Sequence, residues 1–214
     1  MGSPRLSSVV LAAATSRRKP RAQQKKSEVA ERGRPRDEAA TQAIVENTVL
    51  LLAKKGYRGF RLEDVAAAAR VSKATVYRRW ASKQSLVADS VRTTLARMNP
   101  GTEESGDVRR DIELFLERSS VALNGPFGSA LRALVSEVMF DRELSAVLKL
   151  VELERRKLIR ALVERACGEG VLTGDVDLLV DALLGPFYYQ LLIRQTKPTL
   201  GVAARVTGLF WRTA

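Results

Sequence analysis

The sequence contains no histidine and only one cysteine among its 214 residues. Without histidine the chain has no imidazole general base, no histidine-containing catalytic triad and no imidazole metal ligand. One cysteine cannot form an intrachain disulfide or a cysteine-rich zinc site, and this usage fits a reducing compartment. No stretch approaches the roughly 18–20 consecutive apolar residues that cross a bilayer. We therefore expect a cytoplasmic protein with no metal, no cofactor and no membrane partner.

What the sequence has in excess is positive charge, and this charge is unevenly placed. The net charge is +12, from 36 basic and 24 acidic residues. Residues 1–40 carry ten basic and four acidic side chains, and residues 41–95 carry the same numbers. Residues 96–214 are balanced, with sixteen of each. An imbalance confined to one part of the chain indicates a polyanionic partner there, and nucleic acid is the expectation.

Local patterns predict helices throughout, with neither strand alternation nor a hairpin turn. Residues 1–36 are dominated by Ser, Arg, Lys, Gln and Pro, and they predict a disordered basic arm. A loop containing Pro and Gly is expected at residues 99–106, followed by four or five longer helices. The helices before that loop are expected at about Asp37–Lys55, Leu62–Ala69, Lys73–Trp80 and Lys83–Met98.

Two of these helices have the pattern of a helix-turn-helix, and they lie in the basic part of the chain. Both are short, the turn between them is tight at Arg70-Val71, and Ser72 is a good N-cap for the second helix. Val76 and Trp80 are four residues apart and would face the core. The other side chains of this helix could then reach into a DNA groove about 12 Å wide. The pattern predicts a DNA-binding domain.

The segment Leu62–Trp80, preceded by Gly56–Arg61 and followed by Ser82–Val87, resembles the N-terminal domain of TetR-type (TetR/AcrR) transcriptional regulators. One departure is Arg70, which stands where the family usually has glycine. A left-handed turn residue other than glycine costs about 1 kcal/mol. The resemblance rests on the joint spacing of Gly56, Phe60, Val65-Ala66, Val71-Ser72, Tyr77 and Lys83.

The resemblance implies an all-α protein with a three-helix helix-turn-helix DNA-binding domain at residues 37–92. It also implies a larger helical domain at residues 93–214, which would bind an effector and form a homodimer. Two copies of the third helix would then enter successive major grooves of a palindromic operator in double-stranded DNA. Such proteins are usually repressors, and an unidentified small-molecule effector would release this one from its operator.

In similar proteins the third helix and the start of the fourth contact DNA. By this resemblance Tyr77 and Lys83 would bind phosphates and fix the register. Lys73, Ala74 and Thr75 would lie near base edges, where a methyl group can contact thymine. The alternative is an ordinary exposed helix, and of the two adjacent arginines one could bind phosphate while the other is solvated. The full set of expected contacts is Arg61, Lys73, Ala74, Thr75, Tyr77, Arg78, Arg79 and Lys83.

The segment Arg32–Arg36 has the arrangement of an AT-hook core directly before the first predicted helix. Pro35 favours an extended backbone, from which Arg34 and Arg36 could enter a narrow minor groove. The alternative is a solvated basic tail that adds only nonspecific attraction to DNA.

The C-terminal half offers apolar and aromatic candidates for an effector pocket. Its tyrosines are favoured, because a buried hydroxyl needs a partner that a ligand can supply. The alternative for every candidate is ordinary core packing, and the balanced charge of this half indicates no preference for a cationic or anionic effector. The candidates are Phe115, Leu134, Met139, Phe140, Leu148, Tyr188 and Tyr189.

Apolar stripes on the last two helices predict the dimer surface. A helix that is apolar on more than one face must be covered on more than one side, and a two-fold four-helix bundle would cover it. The alternative is complete burial within one subunit. The predicted interface comprises Val176, Val180, Leu183, Phe187, Leu191, Val202, Val206, Leu209 and Phe210.

Three functions are compatible with these features. A sequence-specific, ligand-responsive regulator is preferred, and it should favour one palindrome by about 10³-fold or more. A nonspecific nucleic-acid-binding or packaging protein, using its basic arm, would instead bind all duplexes alike. An enzyme with a DNA-binding appendage is disfavoured, because residues 96–214 show no paired carboxylates, nucleophile or phosphate loop.

Overall fold

The computed structural model describes residues 21–99, 105–199 and 201–211. Within these ranges the chain forms nine α-helices and one π-helical turn with no strand, which confirms the all-α prediction. Residues 40–214 belong to one compact unit, which contains the helix-turn-helix and the cavity described below. The elements are α1 (Arg21–Lys55), α2 (Leu62–Ala68), α3 (Lys73–Arg79), α4 (Lys83–Met98), α5 (Val108–Asn124), α6 (Pro126–Val138), α7 (Arg142–Gly168), α8 (Val176–Tyr188), the π-helical turn (Tyr189–Ile193) and α9 (Val202–Phe210).

Helix α1 begins at Arg21, well before the predicted start near Asp37. The backbone of residues 21–36 is helical, so the structure differs there from the predicted disordered arm and from the extended backbone expected at Arg32–Arg36. Residues 21–31 are mostly Ala, Gln, Lys, Arg and Glu, which are good helix formers. This local propensity outweighs the polar composition on which the prediction rested. Residues 1–20 of the predicted arm lie outside the described residues.

The helix-turn-helix is held by a small apolar core. Val65 of α2 and Val76 of α3 are fully buried in one cluster with Phe60, and Trp80 is buried as predicted. The Trp80 indole Nε1 donates a hydrogen bond to Asp89 Oδ2 of α4 at 3.1 Å. This contact joins the end of α3 to the following helix, α4, which therefore supports the buried side of α3.

The tight turn predicted at Arg70-Val71 is present between α2 and α3. Arg70 has a φ of 54°, in the left-handed region that glycine favours. Its N–H donates to the Ala67 carbonyl at 3.2 Å, and the Val71 N–H donates to the Ala66 carbonyl at 3.0 Å. These two bonds satisfy carbonyls at the end of α2, so the turn is compact although its central residue is strained.

Helix α4 is common to both parts of the protein. Leu86 and Val87, in its first turn and a half, are buried near the Trp80–Asp89 contact. The helix continues to Met98 and packs against α7. The predicted domain boundary between residues 92 and 93 therefore falls inside a continuous helix, since apolar residues on α4 serve both cores.

The C-terminal part is built around α5, which packs against α6, α7, α8 and α9. Phe115 and Leu116 of α5 are buried at its centre. The guanidinium of Arg165 on α7 pairs with the buried carboxylate of Asp111 on α5. This pair fixes the two helices against each other near the start of α5.

Helix α8 and the π-helical turn are more apolar than the sequence analysis recognised. The window Val176–Ile193 has a mean hydropathy of 1.4 over 18 residues, which is long and apolar enough for a membrane span. Leu183, however, is fully buried in the protein, and α8 packs against α5, α7 and α9. On another side of α8, Asp177 and Asp181 pair with Arg156 of α7 at 3.3 and 2.5 Å. We therefore assign α8 to the core of the C-terminal part.

Candidate DNA-binding surface and effector pocket

One side of α3 faces solvent and the other side is buried. Lys73, Ala74 and Arg78 are exposed, and Tyr77 is 47% exposed. Val76 on the opposite side is fully buried and fixes the helix to the core. The solvent side therefore offers two cations, a phenolic hydroxyl and a methyl group, which together suit phosphates and base edges.

Thr75 is half-buried in the first turn of α3. Its Oγ1 lies 2.8 Å from Ser72 Oγ, and its backbone N–H donates to the same oxygen at 3.1 Å. Ser72 is thus the N-cap of α3, as the sequence predicts. Because the Thr75 hydroxyl is engaged in the cap, its methyl group is the part left to contact a base.

The hydroxyl of Tyr77 already has a partner in the DNA-free protein. It donates to Glu63 Oε1 on α2 at 2.9 Å. The pKa of Glu63 is lowered by a backbone hydrogen bond and then by this contact, and the same contact raises the pKa of Tyr77. Since a carboxylate repels a phosphate, Tyr77 must leave Glu63 before it can donate to the DNA backbone.

The predicted DNA-contacting arginines of the folded domain have different surroundings. Arg61 is exposed at the start of α2, where its backbone N–H donates to Asp64 Oδ2 at 2.8 Å. Arg79 is half-buried, and its guanidinium donates to Thr41 Oγ1 on α1. Arg78 is exposed. Between the two adjacent arginines, this geometry favours Arg78 for a DNA contact.

Lys83 is more deeply placed than a typical phosphate-binding lysine. Its Nζ donates to the Phe60 carbonyl at 2.6 Å, and it stands 4.5 Å from the ring centre of Tyr57 and 4.4 Å from that of Phe60. Burial lowers the pKa of Lys83. The ammonium therefore holds the 56–61 link to the start of α4, and only its remaining N–H groups can reach a phosphate. The sequence motif identifies this residue but not its internal role.

The minor-groove contacts of Arg34 and Arg36 remain predictions. Their backbone lies in α1, and their side chains are outside the described residues. A helical backbone is not the extended conformation with which such a segment follows a narrow groove. A contact of this kind would require the N-terminal part of α1 to unwind.

A cavity of about 330 Å³ lies between α4, α6, α7 and α8. Apolar side chains form most of its wall, and a few polar groups interrupt them. This combination of size and lining is typical of a small-molecule site. The lining residues are Val91, Leu95, Phe127, Leu131, Val135, Val138, Ser145, Leu148, Lys149, Glu152, Arg155, Tyr188 and Leu192.

Of the seven predicted pocket residues, Leu148 and Tyr188 line this cavity. Phe115 and Leu134 are buried but lie outside the lining, so the alternative of ordinary core packing describes them. Helical spacing shows that such residues are buried. It does not show which of them border an unfilled volume, because that depends on how four helices pack.

The other three predicted pocket residues are exposed and do not line this cavity. Met139 and Phe140 are 82% and 78% exposed, because α6 ends at Val138 and the chain turns before α7. Tyr189 is also exposed. It follows Tyr188 by one residue, which is a rotation of about 100° around a helix, so only one of the two can face the cavity.

Most of the lining residues were not predicted from the sequence, and Arg155 is the buried charged residue among them. It is buried, its Nη2 donates to Ser119 Oγ at 3.3 Å, and its guanidinium carbon lies 5.1 Å from the ring centre of Tyr188. In the sequence it stands inside the charged run 152–157, which is typical of a solvated helix face. No local signal separates it from its neighbours.

The α6–α7 corner, which borders the cavity, also contacts the link between α1 and α2. Arg58 Nε pairs with Glu137 Oε2 at 2.7 Å. Tyr57 is buried, and burial together with the nearby Asp141 carboxylate raises its pKa to about 12. Two polar contacts thus connect the helix-turn-helix domain with the helices that form the cavity.

The predicted dimer stripe is largely an internal surface. Leu183 and Phe187 of α8 belong to the core of the same subunit, so the alternative of burial within one protomer describes most of the set. Apolar residues at helical spacing identify a buried face of a helix, but they do not show whether the same chain or a second subunit covers it. Val180, Leu183, Phe187, Leu191, Val202 and Val206 are buried, Val176 and Phe210 are half-buried, and Leu209 is exposed.

Comparison with known proteins agrees with this geometry. A family model described as "Bacterial regulatory proteins, tetR family" matches residues 44–89, and one described as "Tetracyclin repressor-like, C-terminal domain" matches residues 102–210. The chain is 30% identical to YdeS of Bacillus subtilis, an uncharacterized HTH-type transcriptional regulator, over 165 residues that cover 76% of this chain and 83% of YdeS. It is 33% identical to the HTH-type regulator Rv1556 of Mycobacterium tuberculosis over 159 residues, covering 71% of this chain and 76% of that protein.

Solved structures show the same fold. A TetR transcription regulator from Haloarcula marismortui superposes with a TM-score of 0.65 at 19% identity, covering 81% of this chain and 98% of that chain. FadR from Bacillus subtilis, solved in complex with stearoyl-CoA, superposes with a TM-score of 0.64 at 16% identity, covering 78% and 96%. With both parts matched by family models, the chain belongs to the TetR family of bacterial transcriptional regulators.

Proposed function

We propose that this regulator is a repressor that binds a palindromic operator as a homodimer and leaves it when a small molecule fills the cavity. The observation that carries the proposal is the course of α4. Its start is joined to α3 through the Trp80–Asp89 hydrogen bond, and Val91 and Leu95 further along line the cavity. A ligand that displaces α4 therefore acts on the element that supports the DNA-binding helix. Such a protein acts on the chromosome, in the cytoplasm.

The solvent side of α3 supplies the proposed DNA contacts. Lys73, Ala74 and the methyl group of Thr75 are assigned to base edges. Tyr77 and Arg78 are assigned to phosphates. Further phosphate contacts are assigned to Arg61, Lys83 and Arg79. Arg79 would have to release Thr41 before it could bind a phosphate.

The outward sides of α8 and α9 are the proposed dimer surface, in place of the buried stripe. On α8 this side carries the exposed Leu178 and Gly185. On α9 it carries Ala204, Gly208 and Leu209, of which Leu209 is 77% exposed. Small residues let helices approach closely, and the exposed leucines supply apolar area, so two copies could form a two-fold four-helix bundle.

The α6–α7 corner is the second proposed route from the cavity to the DNA-binding domain. Glu137 and Asp141 of this corner contact Arg58 and Tyr57 of the link before α2. A ligand that moves α6 would shift this link together with α4. For this to happen, the ligand must bind one conformation of the protein more tightly than the other, because only a difference in affinity shifts the equilibrium between two conformations.

Footprinting on genomic DNA, followed by titration of the full chain on the protected site, tests the proposal. We expect one palindrome to be bound about 10³-fold more tightly than unrelated duplex. Lys73→Ala and Thr75→Ala should change base preference, whereas Arg78→Ala should weaken binding to all sequences and lower the salt slope by about one. Equal affinity for all duplexes would favour the packaging alternative and contradict a sequence-specific repressor.

Light scattering of variants on α8 and α9 tests the dimer surface. The double variant Leu178→Arg with Leu209→Arg is expected to be monomeric, because each copy would place charges in an apolar interface. Its operator affinity should fall by about 100-fold or more, since each monomer contacts one half-site. Val121→Arg, at another exposed apolar position, is the matched control and should leave the dimer intact. A dimeric double variant would show that the interface lies elsewhere.

A further inference from the structure

The cavity assigned to the effector contains a deeply buried cation. Arg155 on α7 lines the cavity and is only 8% exposed. Burial lowers its pKa to about 10, so the guanidinium is still charged at neutral pH. A charge in such a position is unfavourable unless it is paired and hydrogen-bonded.

The partners of Arg155 within the protein are incomplete. Its single hydrogen-bond partner among the described residues, Ser119 Oγ at 3.3 Å, is neutral and gives its own proton to the Phe115 carbonyl at 2.8 Å. The Nε group has no hydrogen-bond partner among the residues that the structure describes. Glu152 raises the pKa of Arg155 by its charge, but it is itself exposed and forms no ion pair with Arg155.

Other arginines of α7 differ from Arg155 in this respect. Arg156 pairs with Asp177 and Asp181, and Arg160 pairs with Asp177 and Glu164. Arg165 pairs with the buried Asp111. Arg155 is more buried than these three, yet within the described part of the chain it lacks a carboxylate partner. Among the described residues, the guanidinium of Arg155 therefore has a position that an anionic partner can fill.

We propose that Arg155 binds the carboxylate of the effector, and that the effector is an apolar monocarboxylic acid. This inference rests on the proposed function, because it assigns the chemistry of the same cavity. The planar guanidinium can hold a carboxylate through two parallel N–H bonds, a geometry that neither an alcohol nor an amide can match.

The rest of the cavity accommodates the apolar part of such an acid. Leu131, Val135 and Leu192 contribute apolar wall, and the ring of Tyr188 lies beside the guanidinium. At about 330 Å³ the cavity is at the lower end of the roughly 300–1,000 Å³ of ligand pockets. A short aliphatic or a phenyl-substituted acid therefore fits better than a long acyl chain.

A smaller cavity of about 140 Å³ also borders Arg155, and it is the less suitable site. It shares Leu95 and Arg155 with the larger cavity and is further lined by Glu154 and Leu158. Arg92 and Glu154 both line it, so its charges offset each other, and its small volume is what disfavours it. The larger cavity is the one with enough apolar wall for the body of the acid.

Calorimetry of the full chain with matched acids and alcohols tests the proposal. The probes are 4-phenylbutyrate and decanoate, their alcohols 4-phenylbutanol and decanol, and decanoyl-CoA. We expect each acid to bind at least about tenfold more tightly than its alcohol, with this preference lost in Arg155→Met and partly kept in Arg155→Lys. Equal binding of acid and alcohol, absence of binding by both acids, or tighter binding of decanoyl-CoA than decanoate would overturn it.

Two further variants locate the bound acid. Leu131→Trp fills the larger cavity and should abolish binding of the acids, whereas Leu158→Trp fills the smaller cavity and should leave it unchanged. The reverse result would place the ligand in the smaller cavity and overturn the assignment.

Thermal unfolding of ligand-free Arg155→Met should occur at or above the temperature of the wild type, because an uncompensated buried charge is removed. A clearly lower temperature would show that Arg155 is a structural residue.

Measuring operator binding in the absence of acid distinguishes failure of this inference from failure of the proposed function. Ligand-free Arg155→Met should bind the operator as the wild type does, and the acids should no longer release it. If the wild type has no preferred operator, the proposed function fails, while the calorimetric comparison of acid and alcohol still decides whether Arg155 selects a carboxylate.

Discussion

Lys83 of the DNA-binding domain and Arg155 of the C-terminal domain are both cations drawn into the protein, and their surroundings differ. Lys83 has a backbone carbonyl at 2.6 Å and two aromatic rings within 4.5 Å. Arg155 is more deeply buried, with one hydroxyl, one ring and an Nε that lacks a partner among the described residues. Lys83 is tied to a carbonyl and two rings of the fold, whereas the guanidinium of Arg155 has an N–H group to which a ligand can supply a partner.

The same contrast extends to other polar groups of the two domains. In the DNA-binding domain the hydroxyls of Thr75 and Tyr77 and the guanidinium of Arg79 all have partners within the protein. At these three groups DNA would exchange with existing contacts, whereas the proposed effector would supply a partner that Arg155 lacks among the described residues.

Tyr57, whose ring faces Lys83, tests how strongly its own burial and the Asp141 carboxylate favour the protonated phenol. Its pKa of about 12 lies above the ordinary value of 10.0, so the protonated form stabilises the folded state. This contribution is complete below about pH 10 and is lost as the pH rises through about 12. A difference of two pKa units corresponds to roughly 2–3 kcal/mol.

Urea unfolding at about pH 9.5 and about pH 11.5 measures this effect. Wild type should lose about 2 kcal/mol more than Tyr57→Phe, which cannot ionise at this position. Tyr189→Phe, at an exposed position, is the control and should behave as the wild type. Identical pH dependence in wild type and Tyr57→Phe would contradict the raised pKa.

Replacing Lys83 tests whether its partners make it a stabilising cation. Lys83→Met should lower the free energy of unfolding by about 2 kcal/mol, because the buried Phe60 carbonyl loses a charged donor. Arg155→Met in the other domain should leave the free energy of unfolding unchanged or raise it. The two substitutions should therefore not change the stability of the protein in the same direction. Chemical denaturation at neutral pH measures both, and equal losses would remove the distinction between the two cations.

Arg70 tests the single strained position of the α2–α3 turn. Arg70→Gly should raise the free energy of unfolding by about 1 kcal/mol, because glycine adopts a φ of 54° without strain. If the exposed guanidinium also binds phosphate, the salt slope of operator binding falls by about one in the same variant. Unchanged or lower stability would show that Arg70 makes compensating contacts in the folded protein.

Tyr77 is expected to have the smallest effect on stability. Tyr77→Phe removes an exposed hydrogen bond to Glu63, so the free energy of unfolding should change by less than about 0.5 kcal/mol. Operator affinity should nevertheless fall for every sequence, since a phosphate donor is lost. Glu63→Gln removes the competing charge and should raise affinity. A decrease in Glu63→Gln would show that Glu63 orients Tyr77 for DNA.

The DNA-binding domain was largely predictable because its signals are local. The Ser72 cap, the left-handed Arg70 and the inward Val76 each depend on residues within one or two turns of helix. The cavity was not predictable in this way, because it exists only where α4, α6, α7 and α8 leave space. Arg155 illustrates the limit, since its burial depends on helices far away in the sequence.

The predicted dimer stripe shows a second limit of sequence patterns. The stripe containing Leu183 and Phe187 was correctly identified as buried, but it is covered by the same chain. Small residues such as Gly185 and Gly208 give no apolar signal, although they stand on the outward sides of α8 and α9. Hydrophobic periodicity therefore locates a core more reliably than an interface.

The continuity of α4 has a mechanical consequence. Its 16 residues form a rod about 24 Å long, at 1.5 Å per residue. A rotation of about 5° around one end of such a rod moves the other end by roughly 2 Å. In the proposed dimer, a shift of about 2 Å at one end of α4 would thus change the distance between the two DNA-binding domains by a large fraction of a base-pair step, without any local unfolding.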